Sequence, residues 1–577
     1  MGKLRRILEK RFSEKKYPDT KDPDVAVKII DGRREFEQTY LGNLYPWKLA
    51  ERSIGLAKRD EFYCTRYPAD NTVLAVFPRF EEDDIQNLNE LLLNVRAAGL
   101  NFFKTINWKR RIELLLEISK VVEKRYWLLV AAKMYETGQS LAEAIGETDE
   151  EVDFPLAAAM YLEETHEDLL IRSPTWSGDY NGKRYVPHGT FLNIEPFNFP
   201  GAIPMDMAVK ALAMGNAVIM KPSDKSSLCG YLVYESIVLA FQRSEIPHEG
   251  VVNYCPGGPE VVDMLLQSPD IAGVSFTGSS AALDEIKRKH GTRLRKRFHG
   301  VAPLAFGSAE TSGVNIAVVW KDAYIPDAAS ECAKSFLGRS GQKCSSVRVI
   351  IVHEDVRDVF QAALEQAVGK VRFGNVLEGA DIGPVITKEA NDRITQSVRA
   401  LSQRGIVTGS YTTYPNVGEV SFSYSHKRPE VLYAARDVVT NTEKAQTLMN
   451  TEIFGPVTTV ISVSSIEEVK KLCSLSEFAL TGTSFTCDPE LAVEFANMIP
   501  AGNLYANRKC TGALVESECF GGLSSRSSPM GIKGKNSLAL FGSQQTISGF
   551  YPRDWTNELR TEYIKKMRKE GFVFSKS

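Results

Sequence analysis

From Phe191 onward the chain alternates short apolar segments with longer amphipathic ones, and this alternation constrains the fold more than any other feature. FLNIEP, NAVIMKPS, VVNYCPG and IAGVSFTGS have the length and composition of strands, and the segments between them have the spacing of helices. Strands that alternate with helices through short connections form a parallel sheet with helices on its faces. The alternation resumes after Glu310, so the sequence predicts an α/β protein with two such units in succession.

The region before this alternation has a different pattern. From about residue 83 to 170, segments such as DIQNLNELLLNVRAAGL carry apolar residues at intervals of three and four, which predicts helices that pack on the first α/β unit. Residues 175–190 are rich in Gly, Pro, Ser and Tyr and indicate a loop or hairpin. No repeat of solenoid length is present.

Composition argues against several classes of protein. The 70 Lys and Arg against 72 Asp and Glu give a formal net charge of −2, so no whole-protein attraction to nucleic acid or to an anionic membrane is expected. The basic stretch KRKHGTRLRKR (287–297) leaves nucleic-acid binding open, although a solvated helix–loop face explains it better because no aromatic residues interleave the charges. The 7 histidines form no HExxH motif or Cys/His cluster, so no metal site is predicted.

The cysteines and the N-terminus bear on the compartment. The 9 cysteines are scattered without a CxxC pair, which is typical of reduced thiols in a cytosol-like compartment. The N-terminal stretch MGKLRRILEKRFSEKK is basic but lacks an apolar core, which argues against a secretory signal and favours a solvated helix over a mitochondrial presequence. Because the apolar runs are too short to cross a bilayer, we expect a cytoplasmic or mitochondrial-matrix protein that is neither secreted nor transmembrane.

Cys344 is the candidate nucleophile. It lies in GRSGQKCSSVRV, where small neighbours give access and Lys343 or loop amides could stabilise a thiolate, although an isolated cysteine is more often a small buried hydrophobe. Glu310 closes FGSAE and is either a carboxylate in a small-residue loop that accepts a proton from water or an exposed loop acid. Asn198 in EPFNFPG either donates its amide N–H to an oxyanion or caps the following helix.

Two further segments place polar residues where parallel sheets bind nucleotides, beyond the carboxyl ends of strands. After NAVIM a lysine and a short acid could bind ribose or phosphate, and after IAGVSFT the first turn of a helix has free N–H groups that could receive a pyrophosphate. Neither segment is a GxGxxG motif or a P-loop. The candidate nucleotide-binding residues are Lys221, Ser223, Asp224, Gly278, Ser279 and Ser280.

Six motifs occur in the order that is typical of one enzyme family. With FNFPGAIP, GNAVIMKPS, SFTGS, SAETSG, SGQKCSS and TEIFGPV, the chain resembles the aldehyde dehydrogenase superfamily over roughly residues 60–525. GNLYANRKCTGALV (502–515), followed by FGG (520–522), is similar to a narrower branch of that superfamily. That branch oxidises glutamate γ-semialdehyde, which forms from 1-pyrroline-5-carboxylate, to glutamate in proline catabolism.

The resemblance implies a role for each matching residue. Cys344 would attack the aldehyde to give a thiohemiacetal and then a thioester, Asn198 and the amide of Cys344 would hold the oxyanion, and Glu310 would activate the hydrolytic water. The implied cofactor is NAD, bound by Glu195, Lys221, Ser223, Asp224, Gly278, Ser279, Ser280, Glu452 and Phe454. The implied substrate contacts are Glu150, Phe199, Ser345, Gly512, Ala513 and Phe520.

The resemblance also implies an aldehyde dehydrogenase-like α/β architecture. This comprises a Rossmann-type NAD-binding domain, an α/β catalytic domain and a small β element for oligomerisation. We expect a homodimer or higher homo-oligomer that acts on a small aldehyde, with neither a nucleic acid nor a membrane as partner. The expected units are a helical N-terminal region (1–172), an oligomerisation hairpin (173–190), the NAD-binding domain (191–306), the catalytic domain (307–540) and a C-terminal oligomerisation segment (541–577).

Departures from the family pattern keep two alternatives open. Ser312 and Val314 stand where the family usually has glycine and lysine after the catalytic acid, and Cys519 stands where proline commonly precedes FGG. One alternative is an aldehyde dehydrogenase for another semialdehyde. The other is a catalytically impaired family member that acts as a binding or scaffold protein, although the joint retention of Cys344, Glu310 and Asn198 argues against it.

Overall fold

The computed structural model describes residues 18–41, 62–78, 85–168, 179–412, 425, 427–515, 517–524, 533–552 and 554–574, so the basic N-terminal stretch lies outside the described residues. The helices are α1 (Pro23–Thr39), α2 (Ile85–Thr105), α3 (Trp108–Lys124), α4 (Tyr126–Thr137), α5 (Leu141–Asp168), α6 (Ala202–Met214), α7 (Ser227–Arg243), α8 (Pro259–Gln267), α9 (Ser280–His290), α10 (Ile325–Leu337), α11 (Arg357–Gly369), α12 (Lys388–Gln403), α13 (Thr442–Met449), α14 (Ile466–Ser474), α15 (Pro489–Met498) and α16 (Asn557–Lys569).

The strands are arranged in three larger sheets and two short two-stranded ones. Their bounds are β1 (Phe62–Arg66), β2 (Val73–Pro78), β3 (Asp179–Pro187), β4 (Thr190–Ile194), β5 (Ala217–Lys221), β6 (Val252–Tyr254), β7 (Ile271–Thr277), β8 (Leu294–Lys296), β9 (Val301–Pro303), β10 (Ala305–Glu310), β11 (Asn315–Val319), β12 (Val347–His353), β13 (Val407–Thr412), β14 (Glu430–Ala434), β15 (Val457–Val463), β16 (Thr481–Phe485), β17 (Asn503–Ala506), β18 (Gly542–Phe550) and β19 (Val573–Phe574).

The first large sheet is parallel throughout, with the strand order β10-β7-β4-β5-β6. Every residue of β4, β5 and β7 is buried, as expected for strands covered on both faces. From β4 the chain adds β5 and β6 on one side and β7 and β10 on the other. The order reverses at β4, so a crevice for ligands lies beyond the carboxyl ends of β4 and β7.

The second large sheet has the order β13-β14-β15-β12-β11-β16-β17 and is parallel except for the edge strand β13. Four residues separate it from the first sheet, because Glu310 is the last residue of β10 and Asn315 is the first of β11. The carboxyl end of one sheet therefore faces the amino end of the other. The two successive α/β units that the sequence predicts are confirmed.

The region predicted to be helical forms the four consecutive helices α2 to α5. Asn107 caps α3 by accepting a hydrogen bond from the N–H of Arg110 at 3.1 Å. The apolar stripe of α3, which includes Leu114, Ile118 and Val122, is buried against α5 and α7. Helix α7 lies over the first sheet, so this helical region packs on that unit as expected.

The third sheet differs from the expected hairpin. Strand β3 lies between the C-terminal strands β18 and β19, and both pairs are antiparallel. Residues 179–187 thus form a strand rather than a loop, and the partners of this strand lie within the predicted C-terminal oligomerisation segment (541–577). The partners of β3 come from the far end of the chain, which no local pattern indicates. The domain boundaries and the oligomerisation role stay predictions.

The basic stretch 287–297 is engaged within the fold. Arg288 and Lys289 form ion pairs with Glu285 on the same helix, and Lys289 also pairs with Asp263 at 3.0 Å. The Arg295 guanidinium is buried and donates to the carbonyls of Leu266 and Ser268. Part of the charge of this stretch is thus neutralised or buried within the fold.

Three further features concern the part of the chain that the structure describes. All 9 cysteines are free thiols, as the scattered spacing predicts. No described helix is both long enough and apolar enough to cross a membrane. Nowhere in the described ranges do three or more His, Cys, Asp or Glu side chains converge as they would around a metal ion.

A glycine in the first sheet provides a test of its packing. A Cβ at Gly273 on β7 would lie 2.4 Å from the buried ring of Phe191 on β4, so Gly273→Ala should lower the free energy of unfolding by about 1–3 kcal/mol. At Gly146, in α5, an added Cβ meets nothing within 4 Å, so Gly146→Ala is the matched control and should be neutral or slightly stabilising. Thermal melting of both variants measures the difference, and equal melting temperatures would contradict the packing.

Candidate active site

A small pocket of about 80 Å³ lies where the two large sheets meet. It is lined by all but one of the residues predicted for catalysis and substrate binding, namely Glu150, Phe199, Glu310, Cys344, Ser345, Gly512, Ala513 and Phe520. The remaining one, Asn198, is adjacent to Phe199 in the sequence. The pocket also contains Lys533 and Asp206, which the sequence analysis missed because neither lies in a recognisable motif.

The loop that carries Cys344 has an unusual backbone. Arg339, Ser340 and Gly341 have φ angles of 52°, 55° and 69°, so three consecutive residues occupy the left-handed region. This conformation is costly for a residue with a side chain, and it persists only where the surroundings impose it. At Gly341 a Cβ would lie 1.8 Å from the carbonyl oxygen of Gly455, so only glycine fits there.

Asn315 fixes this loop at the start of the second sheet. Its Nδ2 donates to the carbonyl oxygens of Cys344 at 2.7 Å and Ser346 at 2.8 Å, and its Oδ1 accepts from the N–H of Thr481 at 3.0 Å. Gly313 completes the contact, because a Cβ there would lie 2.2 Å from the same Cys344 carbonyl. The sequence pattern predicts only that Asn315 belongs to a strand, because its partner Thr481 lies 166 positions away.

The Cys344 thiol is half-buried, and its environment disfavours the thiolate. Burial, with the nearby carboxylates of Glu310 and Glu452, raises the pKa of the Cys344 thiol to about 12. The expectation that Lys343 stabilises a thiolate is not supported, because its Nζ forms an ion pair with Glu143 at 3.2 Å. The thiol is therefore protonated at neutral pH and must lose its proton as it reacts.

Glu310 is the last residue of β10, so its assignment to a loop was wrong. The side chain is buried, which also excludes an exposed acid. Its Oε1 accepts from the N–H of Gly522 at 3.4 Å, and its charge acts on the Cys344 thiol. A strand end thus holds a carboxylate beside the sulfur, where a general base has to be.

Asn198 contacts the cysteine loop and does not cap a helix. Its Nδ2 donates to the carbonyl of Gln342 at 2.9 Å, and its own carbonyl accepts from the Arg339 guanidinium. The N-cap of helix α6 is instead Gly201, whose N–H donates to Glu147 at 2.8 Å. The structure therefore brings Asn198 to the loop of the nucleophile, as an oxyanion donor requires.

Arg339 and Glu147 form a buried ion pair behind this contact. Arg339 Nη2 lies 2.7 Å from Glu147 Oε2, and the guanidinium stacks 3.8 Å from the centre of the Phe199 ring. Burial alone would raise the pKa of Glu147, but Arg339, Lys133 and the helix amide outweigh it and hold the pKa below its usual value. The pair links the cysteine loop, the Asn198 segment and α5 into one rigid unit.

The predicted nucleotide-binding residues lie at the carboxyl ends of β4, β5 and β7. Asp224 lines a cleft of about 810 Å³, while Lys221 is buried at the end of β5 and Ser223 Oγ lies 3.3 Å from Asp224 Oδ1. Burial lowers the pKa of Lys221 although Asp224 opposes the shift. Burial raises the pKa of Glu195 well above its usual value, with Lys221 opposing it.

The turn after β7 leads directly into α9. Ser279 is the N-cap of this helix and accepts from the N–H of Ala282 at 3.3 Å. Ser280 Oγ donates to Thr311 at 3.1 Å. The Gly278 N–H donates to the Glu310 carbonyl at 3.3 Å, so it is not one of the free donors that the sequence analysis expected.

Glu452 and Phe454 come from the second sheet, just before β15. Glu452 accepts from the N–H of Gly313 at 3.0 Å, and burial raises its pKa while Arg348 opposes the shift. Phe454 packs edge-to-face on Phe197, with 6.1 Å between ring centres. Both residues therefore lie next to the segments that hold Asn198 and Cys344.

The residues present fit a dinucleotide. Both carboxylate oxygens of Glu195 are buried without a hydrogen-bond partner among the described residues, which suits a ligand with hydroxyl donors. A lysine and an acid follow β5, and a helix N-terminus follows β7, which are the contacts that ribose and pyrophosphate need.

Comparisons with known proteins agree with this geometry. The model of the aldehyde dehydrogenase family matches residues 57–546. A 1-pyrroline-5-carboxylate dehydrogenase of Staphylococcus epidermidis is 29% identical over 86% of this chain and 91% of its own length, and one of Staphylococcus saprophyticus is 30% identical over 82% and 91%. The solved structure of 1-pyrroline-5-carboxylate dehydrogenase from Thermus with bound NAD has 24% identity and a TM-score of 0.80 over 93% of this chain and 98% of that chain. The resemblance to the aldehyde dehydrogenase superfamily that the six motifs indicated and the expected α/β fold are thus confirmed. The chain belongs to the aldehyde dehydrogenase family.

Proposed function

We propose that this chain is an NAD⁺-dependent dehydrogenase that oxidises glutamate γ-semialdehyde, which forms from 1-pyrroline-5-carboxylate, to glutamate in proline catabolism. The observation that carries the proposal is the single pocket that joins a cysteine thiol, a buried carboxylate and donors for a substrate carboxylate. The staphylococcal relatives named 1-pyrroline-5-carboxylate dehydrogenase support this choice among aldehydes. We further propose a homo-oligomer.

Three residues carry the covalent chemistry. The Cys344 thiol releases its proton to water as its sulfur bonds to the aldehyde carbon, and the oxyanion that forms receives hydrogen bonds from Asn198 Nδ2 and the Cys344 N–H. Oxidation of this carbon leaves a thioester on Cys344. Glu310 then takes a proton from the water that hydrolyses the thioester, because its carboxylate is the group held beside the sulfur at the end of β10.

The cofactor we infer is NAD⁺, which supplies the hydride acceptor when it is bound. We assign its adenine ribose to Lys221 and Asp224 and its nicotinamide ribose to Glu452. Burial would raise the pKa of Asp224, but Lys225 and Lys221 outweigh it and lower the pKa, so the carboxylate is ionised at neutral pH. An ionised Asp224 would repel the 2′-phosphate of NADP⁺, which favours NAD⁺.

Removal of the nucleophile tests the activity directly. Cys344→Ala should abolish NADH formation from 1-pyrroline-5-carboxylate because no thiohemiacetal can form, while calorimetry should still detect NAD⁺ binding. Cys487→Ala is the control, since Cys487 is an exposed thiol outside the pocket and its loss should not change the rate. Turnover by the Cys344 variant at a rate near that of the wild type would refute the mechanism.

The charge of Glu310 should have opposite effects on two reactions of Cys344. The Glu310 carboxylate contributes to the raised thiol pKa, so Glu310→Gln should lower that pKa and speed alkylation of Cys344 by iodoacetamide, measured by peptide mass spectrometry at about pH 8. The same variant should give a burst of NADH and then stall at the thioester.

In the wild type, alkylation of Cys344 should keep rising from about pH 8 to about pH 10, because the thiol pKa lies above this range. The peptide that carries Cys487 is the internal reference. A slower alkylation of Cys344 in Glu310→Gln would contradict the assignment of Glu310.

Ser345 tests the carboxylate site. Its hydroxyl is one of the neutral donors assigned to the substrate carboxylate, so Ser345→Ala should raise KM for the semialdehyde by about 5-fold more than KM for pentanal. The neighbouring Ser346 is buried but does not line the pocket, so Ser346→Ala is the matched control. An equal change in KM for both aldehydes would exclude a carboxylate contact by Ser345.

A further inference from the structure

A lysine ammonium lies in the pocket that also contains the thiol, in addition to the neutral donors. Lys533 Nζ is 2.8 Å from Glu150 Oε1 and 2.8 Å from the carbonyl oxygen of Ala513, and its side chain is only 12% exposed. The same pocket contains Cys344 and Ser345. A cation is therefore held at the end of the pocket where a substrate carboxylate is expected.

The backbone and the pocket walls hold this lysine in place. Lys533 pairs with Phe520 in an antiparallel bridge, and its N–H donates to the Phe520 carbonyl at 3.1 Å. Its ammonium lies 5.4 Å from the centre of the Phe154 ring and 5.9 Å from that of Phe520. Aromatic faces attract cations at such distances, so the position of the charge is defined from several sides.

The acidic residues around the pocket make a cation necessary if a carboxylate is to bind there. Glu150, Asp206 and Glu310 all line the pocket and would together repel a carboxylate. Asp206 is neutralised by Lys210 at 2.7 Å, and Glu150 is neutralised by Lys533. An ammonium has three N–H donors, and Glu150 and Ala513 take two of them. Among the residues that the structure describes, no third partner of this ammonium is present, so one donor remains for a ligand.

We propose that Lys533 is a specificity-determining residue that receives the carboxylate of the substrate by a charge-assisted hydrogen bond. The inference rests on the proposed function and names its substrate class as semialdehydes that carry a carboxylate. The ion pair of Lys533 and Glu150 also complements an α-amino acid, since the lysine matches the carboxylate and the glutamate matches the ammonium. Neutral donors at Ser345, Gly512 and Ala513 then orient a group that the cation attracts.

The test compares kcat/KM for glutamate γ-semialdehyde, succinic semialdehyde and uncharged pentanal. Lys533→Met keeps the aliphatic stem but removes the charge, and it should lower the ratio of either semialdehyde to pentanal by about 10–100-fold. Lys533→Arg retains a cation and should lose less. Lys535→Met is the control, because Lys535 lies two residues further on, does not line the pocket and should not alter the ratio.

A double variant separates direct contact from an indirect effect. In Lys533→Met the unmasked Glu150 would itself repel a carboxylate, so Lys533→Met is combined with Glu150→Gln. If Lys533 donates to the substrate, the succinic semialdehyde ratio stays low in the double variant. Recovery of that ratio to the wild-type value would overturn the direct contact, as would an equal loss for all three aldehydes or a gain for the semialdehydes.

A measurement of glutamate binding tests the carboxylate contact of Lys533 even if the protein turns over no aldehyde. If wild-type protein oxidises no aldehyde, the proposed function fails. Calorimetry with glutamate, the product, then compares wild type, Lys533→Met and Lys535→Met. Weaker binding by about 10-fold or more in Lys533→Met alone supports the inference, whereas equal affinities overturn it.

Discussion

The active site depends on the hydrogen bonds of one asparagine side chain. Asn315 joins the starts of β11, β12 and β16, because its amide contacts the backbone of Cys344, Ser346 and Thr481. Glu310 ends the neighbouring sheet only a few residues earlier. The positions of the nucleophile and the carboxylate therefore follow from the way in which the two sheets meet. The left-handed turn before Cys344 is stabilised because Asn315, at the start of β11, binds the backbone that follows the turn.

Electrostatics in this site is a balance of buried acids and their partners. Glu147 is matched by Arg339, Asp206 by Lys210 and Glu150 by Lys533. Glu310 and Glu452 instead act on the thiol and disfavour its ionised form. Together with burial, which is the larger cause, they raise the pKa of the Cys344 thiol, and a thiol reacts with oxidants more slowly than a thiolate does.

The elements and site residues that depend on a local sequence pattern could be predicted from the sequence. The spacing of apolar residues predicts the helices before Phe191. The strands after it could be predicted because every residue of β4 and β5 is buried, so each strand is a continuous apolar run in the sequence. Cys344 and Glu310 lie in motifs and could be singled out. Asn315, Arg339 and Lys533 could not, because each has a side-chain partner more than a hundred residues away in the sequence.

The central position of β3 has a consequence for biosynthesis. Arg184 on this strand contacts Gln545 across 361 positions of the sequence, and β3 pairs with no strand outside the C-terminal region among the described residues. A ribosome releases the N-terminal part first, so both edges of β3 stay unpaired until residues 542–574 have been translated. Termination of translation before residue 542 would therefore leave a strand with unpaired edges, which quality-control proteases and chaperones can recognise as the mark of an incomplete chain.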